Sequence, residues 1–197
     1  MKDGVIKYNQ VFNPATPLPD AALDDLKYCR AQLYAQGWIG IDDDGIGFGN
    51  LSKRLHPYGN EEFIISASQT GHLKNLNNEH FTLVKSFNIL ENKLSAQGTF
   101  SASSEALSHA AFYSLSKKIN FVFLIHAHVL LNKYLNILPT TFANIPYGTP
   151  AMAEEIFRLF KSSNLANEKV VITAGHQDGI FCFSETYQDG LKCLFSL

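Results

Sequence analysis

Two histidines, His126 and His128, stand one residue apart inside the apolar run FVFLIHAHVLL, residues 121–131. A buried imidazole needs a polar partner, so the pair asks for something that both rings share. If the run is a single strand, residues i and i+2 project to the same side. Both rings then face one way, with Ala127 opposite. An H-x-H pair so arranged offers two nitrogens to one divalent transition metal. His176, at a glycine turn after the strand-like KVVITAG, is the candidate third donor. Glu105, near the start of a helical stretch, is the candidate fourth. Three histidines with a carboxylate or water in the last position leave room for a substrate.

A second group points to anion binding. Asn50, Ser68, Thr70 and Gly71 fall at expected strand ends, and Ser103 and Ser104 at an expected helix start. Hydroxyls, an amide and the N–H groups of a helix N-terminus can cradle a phosphate. The other histidines stay outside the metal set. His56, His72 and His80 lie in polar, loop-like surroundings, and His109 follows Glu105 by four residues and shares its helix face. Cys29, Cys182 and Cys193 have no CxxC spacing and read as reduced thiols.

The elements that must position these residues follow from periodicity and punctuation. Residues 21–36 carry Leu23, Leu26, Cys29, Leu33 and Tyr34 at roughly helical spacing, with Gly37 as the stop. GFGNLSKRL and EEFIISASQTG read as strands entered or left through glycine, and HFTLVKSFNILENKLSAQG as a hairpin turning at Glu91–Asn92. SSEALSHAAFYSLSKK, residues 103–118, has helix-start chemistry, and TPAMAEEIFRLFKS is a helix opened by Pro150. NFVFLIHAHVLL is expected as one buried strand, KVVITAGHQDGIFCFS as strand–turn–strand, and ETYQDGLKCLFSL as a final helix. This order predicts a mixed sheet with helices on its faces.

The 197 residues suggest one domain over residues 20–197 behind a proline-rich extension, residues 1–19. A net charge of −2 with no basic stripe argues against nucleic acid as partner. MKDGVIKYNQ lacks an apolar leader core, and no run reaches the ~20 apolar residues a membrane helix needs. A cytoplasmic protein is expected, with no membrane partner.

In order along the chain, GFGNLSKR, FIISASQTG, SSEALSHAAFY, IHAH, IPYGTPAMAEEI and AGHQDGIFCF resemble the motifs of the class II aldolase/adducin family. The resemblance spans nearly the whole chain, from about residue 26 to about residue 194. It implies a three-layer α/β/α sandwich on a central, largely antiparallel sheet. It also implies a zinc-dependent aldolase-type lyase acting on a small sugar phosphate or related hydroxy-carbonyl compound, assembled as a homotetramer with active sites between subunits. By resemblance His126, His128 and His176 match the zinc histidines and Glu105 the acid/base glutamate. Asn50, Ser103 and Ser104 match phosphate-binding positions. SASQTG stands where aldolases carry a TPSG-like loop, so the phosphate contact there is Ser68 or Thr70–Gly71. The stretch from 129 to 146 is short, as is the C-terminal tail. An epimerase or dehydratase of the same family, or a non-catalytic adducin-like binding module, are the alternatives.

Overall fold

The computed structural model describes residues 4–197. The chain runs through β1 (Asn9–Pro14), a 3₁₀ turn (Asp20–Ala22), α1 (Asp24–Ala35), β2 (Gly40–Ile41), β3 (Gly47–Phe48), β4 (Asn50–Arg54) and β5 (Phe63–Ser66). A second 3₁₀ turn (Asn78–His80), β6 (Phe81–Asn88), β7 (Lys93–Gly98), α2 (Ala106–Leu115), β8 (Phe121–His126) and α3 (His128–Tyr134) follow. The chain continues through α4 (Pro150–Ser162), α5 (Leu165–Glu168), β9 (Val170–Ile172), β10 (Gly179–Ser184) and α6 (Tyr187–Phe195).

Eight strands form one sheet in the order β1-β7-β6-β5-β4-β8-β10-β9. Every pairing is antiparallel except β1 with β7. Residues 9–14, within the stretch read as an extension, are thus an edge strand of the sheet. Successive side chains alternate faces, and β8 makes the layering visible. Val122 and Leu124 pack with α2 and α4 on one face, through Leu107, Ala111 and Ile156. Phe123 and Ile125 pack with α1 and α6 on the other, through Leu26, Leu33 and Leu194. The run FVFLI is apolar throughout because both of its faces are covered. The result is a three-layer α/β/α sandwich.

One expected element differs. The strand over NFVFLIHAHVLL ends at His126, and the chain turns at Ala127 (φ −145°, ψ 85°) into α3. Leu130, Leu131 and Tyr134 then pack against the α1/α6 core at helical spacing. That packing wins over a longer strand because β4 and β10, the two neighbours of β8, already end their pairing by His126. The helix expected from residue 103 begins at Ala106, with Glu105 at its N-cap. Among the described residues no helix is long and apolar enough to cross a membrane.

Candidate active site

The sheet register aims several polar side chains at one place. In an antiparallel pair, residues directly opposite share a face. Asn50 pairs with Leu124 and Ser52 with Val122, so both look toward α2. His126 continues that alternation and points the same way. Gly179 stands opposite His126 on β10. A Cβ there would sit 2.9 Å from the Nδ1 of His176 and 2.4 Å from the Thr173 hydroxyl, so only glycine leaves room for the His176 ring.

Glu105 enters at the N-terminus of α2, just off the end of β5. An isolated bridge between Ala67 and Ala102 ties SASQTG to SASSE, and the Ser68 amide donates to the Ser101 carbonyl at 2.9 Å. The Glu105 amide donates to the Ser103 hydroxyl at 3.3 Å. The Ser108 hydroxyl donates to Glu105 Oε2 at 2.6 Å. Glu105 is 1% exposed. Gly148, at φ +61°, passes so near that a Cβ would meet the Ser104 carbonyl at 2.7 Å and Glu105 Oε1 at 3.5 Å.

The structure brings nearly all the expected residues together. Asn50, Ser68, Thr70, Gly71, Ser103 and Ser104 line one pocket, and Glu105, His126 and His176 line it with them. Asn50 is 7% exposed, and its Oδ1 has no hydrogen-bond partner among the described residues. A half-turn of the amide would present its N–H₂ instead, so the pocket holds a buried group suited to either polarity of ligand.

The His126 and His176 rings meet edge to face with centroids 4.8 Å apart. His126 also stacks on Phe48 at 5.1 Å, and His176 on Tyr147 at 4.8 Å. His128 does not line the pocket that holds Glu105. At the first position of α3 its side chain is 72% exposed, with Nδ1 2.7 Å from Asp178 Oδ1. The Asn132 amide lies 2.9 Å from its Nε2. It lines a neighbouring, larger recess with Asp42, Asp44 and Asp178, and His126 and His176 line that recess as well. The expectation of His126 and His128 on one strand face is therefore corrected: the strand stops between them. Among the described residues no group of three or more His, Cys, Asp or Glu is placed to hold a metal ion. The side chains as arranged do not fit a three-histidine centre.

Burial sets the electrostatics around the pocket. The Tyr8 hydroxyl lies 2.9 Å from the Ser103 carbonyl and 3.0 Å from that of Ala102. Burial, and then the nearby charge of Glu105, push its pKa well up, so it stays a neutral donor. His109, fully buried, lies with Nδ1 2.7 Å from the Ser52 hydroxyl, which is 2.7 Å from the Tyr113 hydroxyl. Burial lowers its pKa to about 3. This neutral chain fixes α2 to β4, and so Glu105 relative to Asn50.

Residues 25–197 match the family model described as Class II Aldolase and Adducin N-terminal domain. The chain belongs to the class II aldolase and adducin family. No curated protein matches the sequence. Among solved structures this class II aldolase-family chain is similar in fold to an L-fuculose 1-phosphate aldolase. The TM-score is 0.66 at 14% identity, over 91% of this chain and 82% of the other. It is also similar to a sugar-phosphate aldolase from Thermotoga maritima, with TM-score 0.64 and 11% identity over 89% and 90%. The N-terminal class II aldolase domain of a conserved Thermoplasma acidophilum protein gives TM-score 0.58 and 17% identity over 91% of each chain.

Three residues of this class II aldolase-family site escaped the sequence reading. Ser108 stands three residues after Glu105, a spacing that puts both on one helix face. Arg30 falls in the buried stripe Leu26, Cys29, Arg30, Leu33 of α1, where a cation signals a specific partner. Tyr147, in PYGT, carried no local signal for its stack on His176.

Proposed function

We propose that the chain is an aldolase-type lyase for a small anionic hydroxy-carbonyl compound, a sugar phosphate by class, with Glu105 as the proton carrier. What carries the reading is the meeting, in one pocket, of a buried carboxylate, two imidazoles and a cradle of small polar groups. In the reading, Asn50, Ser103 and Ser104 hold the anionic end, with Ser68 or Thr70–Gly71 closing on it. His126 and His176 can donate to the carbonyl or hydroxyl oxygens, where negative charge grows as the bond breaks. Glu105, oriented by Ser108, moves the proton. Phe48 and Tyr147, stacked on the imidazoles, hold the two rings in place.

Zinc was expected from the resemblance. With His128 held by Asp178 and Asn132, no step is assigned to a metal. That same observation favours a second reading, a non-catalytic binding domain that keeps the fold. Epimerase or dehydratase chemistry would use the same glutamate. A homo-oligomer, a tetramer by family, belongs to the first reading and is checked by light scattering.

The deciding experiment is turnover of a panel of ketose and aldehyde phosphates, with and without added zinc. Turnover lost in Glu105→Gln supports the lyase reading. Binding of phosphate without turnover of any member supports the binding domain.

A further inference from the structure

Among the described residues that line the anion cradle there is neither lysine nor arginine. A buried cation lies behind its 70–73 loop. Arg30, on α1, is 2% exposed, and its Nη2 donates to the carbonyls of Gly71 at 2.9 Å and Leu73 at 2.8 Å. The Thr70 carbonyl stands at 3.5 Å. Nη1 has no hydrogen-bond partner among the described residues, and no carboxylate there makes an ion pair with this guanidinium. The Tyr34 ring, 4.7 Å from Cζ, is its cation–π neighbour. Burial lowers its pKa to about 10, so it remains charged at neutral pH.

A buried guanidinium without a counter-ion is costly, and three neutral carbonyls offset only part of the cost. Their arrangement has a second effect. In a trans peptide the N–H points opposite to the C=O. Drawing the carbonyls of Thr70 and Gly71 back to Arg30 turns the amides of Gly71 and His72 the other way, to the side where Thr70 and Gly71 line the cradle. Gly71 is held there without alternative: a Cβ would lie 2.1 Å from the Gly40 carbonyl and 2.8 Å from the Gly47 Cα.

We infer that Arg30 is the positioning cation of the anion site: it aims the amides of the 70–73 loop at a phosphate-class ligand, and that ligand is its missing counter-ion. The inference rests on the cradle proposed above. It makes the loop a relay, with one peptide layer between the guanidinium and the bound anion, so the charge acts without touching the ligand.

The test is binding of inorganic phosphate to the full chain by titration calorimetry, in wild type, Arg30→Lys, Arg30→Met and Asn50→Asp. Arg30→Met should bind phosphate about tenfold more weakly or worse, the scale of a unit charge acting across one peptide layer. Arg30→Lys should fall between, since it keeps the charge and loses the fork. If Arg30 only supported the fold, its replacement would lower the melting temperature and leave phosphate affinity alike in wild type and the folded Arg30 variants. Arg30→Met binding phosphate as tightly as wild type overturns the inference. If wild type binds none, or Asn50→Asp binds as well, the cradle itself fails and the inference with it. If Arg30→Met does not fold, crystals of wild type soaked in tungstate decide. Density within hydrogen-bond distance of the Gly71 amide supports the relay, and density only elsewhere overturns it.

Discussion

The Ser108 hydroxyl points back one turn along α2 to Glu105 and donates to Oε2 at 2.6 Å, with both residues buried. A buried carboxylate stripped of such a donor is left desolvated, which costs about 1–3 kcal/mol. Ser108→Ala should therefore lower stability by that amount in urea unfolding. It should also reduce turnover, while Ser108→Thr, which keeps the hydroxyl, should recover much of both. Equal stability of wild type and Ser108→Ala would mean that the bond contributes nothing.

His109 makes stability depend on pH. Its ordinary pKa of 6.5 drops to about 3 in the fold, so between these values the unfolded chain binds a proton that the folded chain refuses. The contribution is fully present above about pH 6.5 and is lost as pH falls toward 3, at up to about 1.4 kcal/mol per pH unit. Urea unfolding at pH 7.5, 6, 5 and 4.5 should show that slope in wild type. It should be shallower in His109→Gln, whose amide does not titrate.

Much of the fold was legible because it depends on local signals. Pro150 does open α4, Gly37 does follow α1 at φ +70°, and Glu91–Asn92 do turn the β6–β7 hairpin. The end of the strand before His128 is not legible in the sequence, for a physical reason. An apolar run of eleven residues suits a buried strand or a strand followed by a half-buried helix, and periodicity over so few residues does not separate them. The Asp178 contact that holds His128 comes from fifty residues away, as do the loop carbonyls that meet Arg30 from about forty. Such long-range partners leave no mark at the residue itself.

Gly148 gives a test of how closely the PYGT loop supports the carboxylate. Gly148→Ala places a Cβ 2.7 Å from the Ser104 carbonyl at a φ of +61°, a conformation that costs a non-glycine residue of order 1 kcal/mol or more. The variant should lose at least that in stability and should weaken phosphate binding through displacement of Ser104. Unchanged calorimetric affinity would uncouple the loop from the cradle.

The placement of His128 predicts a metal result. In tag-free protein, elemental analysis should show the same zinc content for wild type and His128→Ala, because both ring nitrogens of His128 are engaged by Asp178 and Asn132. One equivalent of zinc in wild type that vanishes in His128→Ala would show that His128 leaves Asp178 to join the other two.

The role proposed for Glu105 is proton transfer on a small anionic substrate held in the cradle. It is tested most directly by comparing wild type with Glu105→Gln on the substrate found in the phosphate panel, with phosphate affinity measured on the same samples. Glu105→Gln should fold and bind phosphate within a few-fold of wild type, while turnover should fall by roughly 10²–10⁴-fold, the size of a general acid–base contribution. Turnover by Glu105→Gln at the wild-type rate would contradict it.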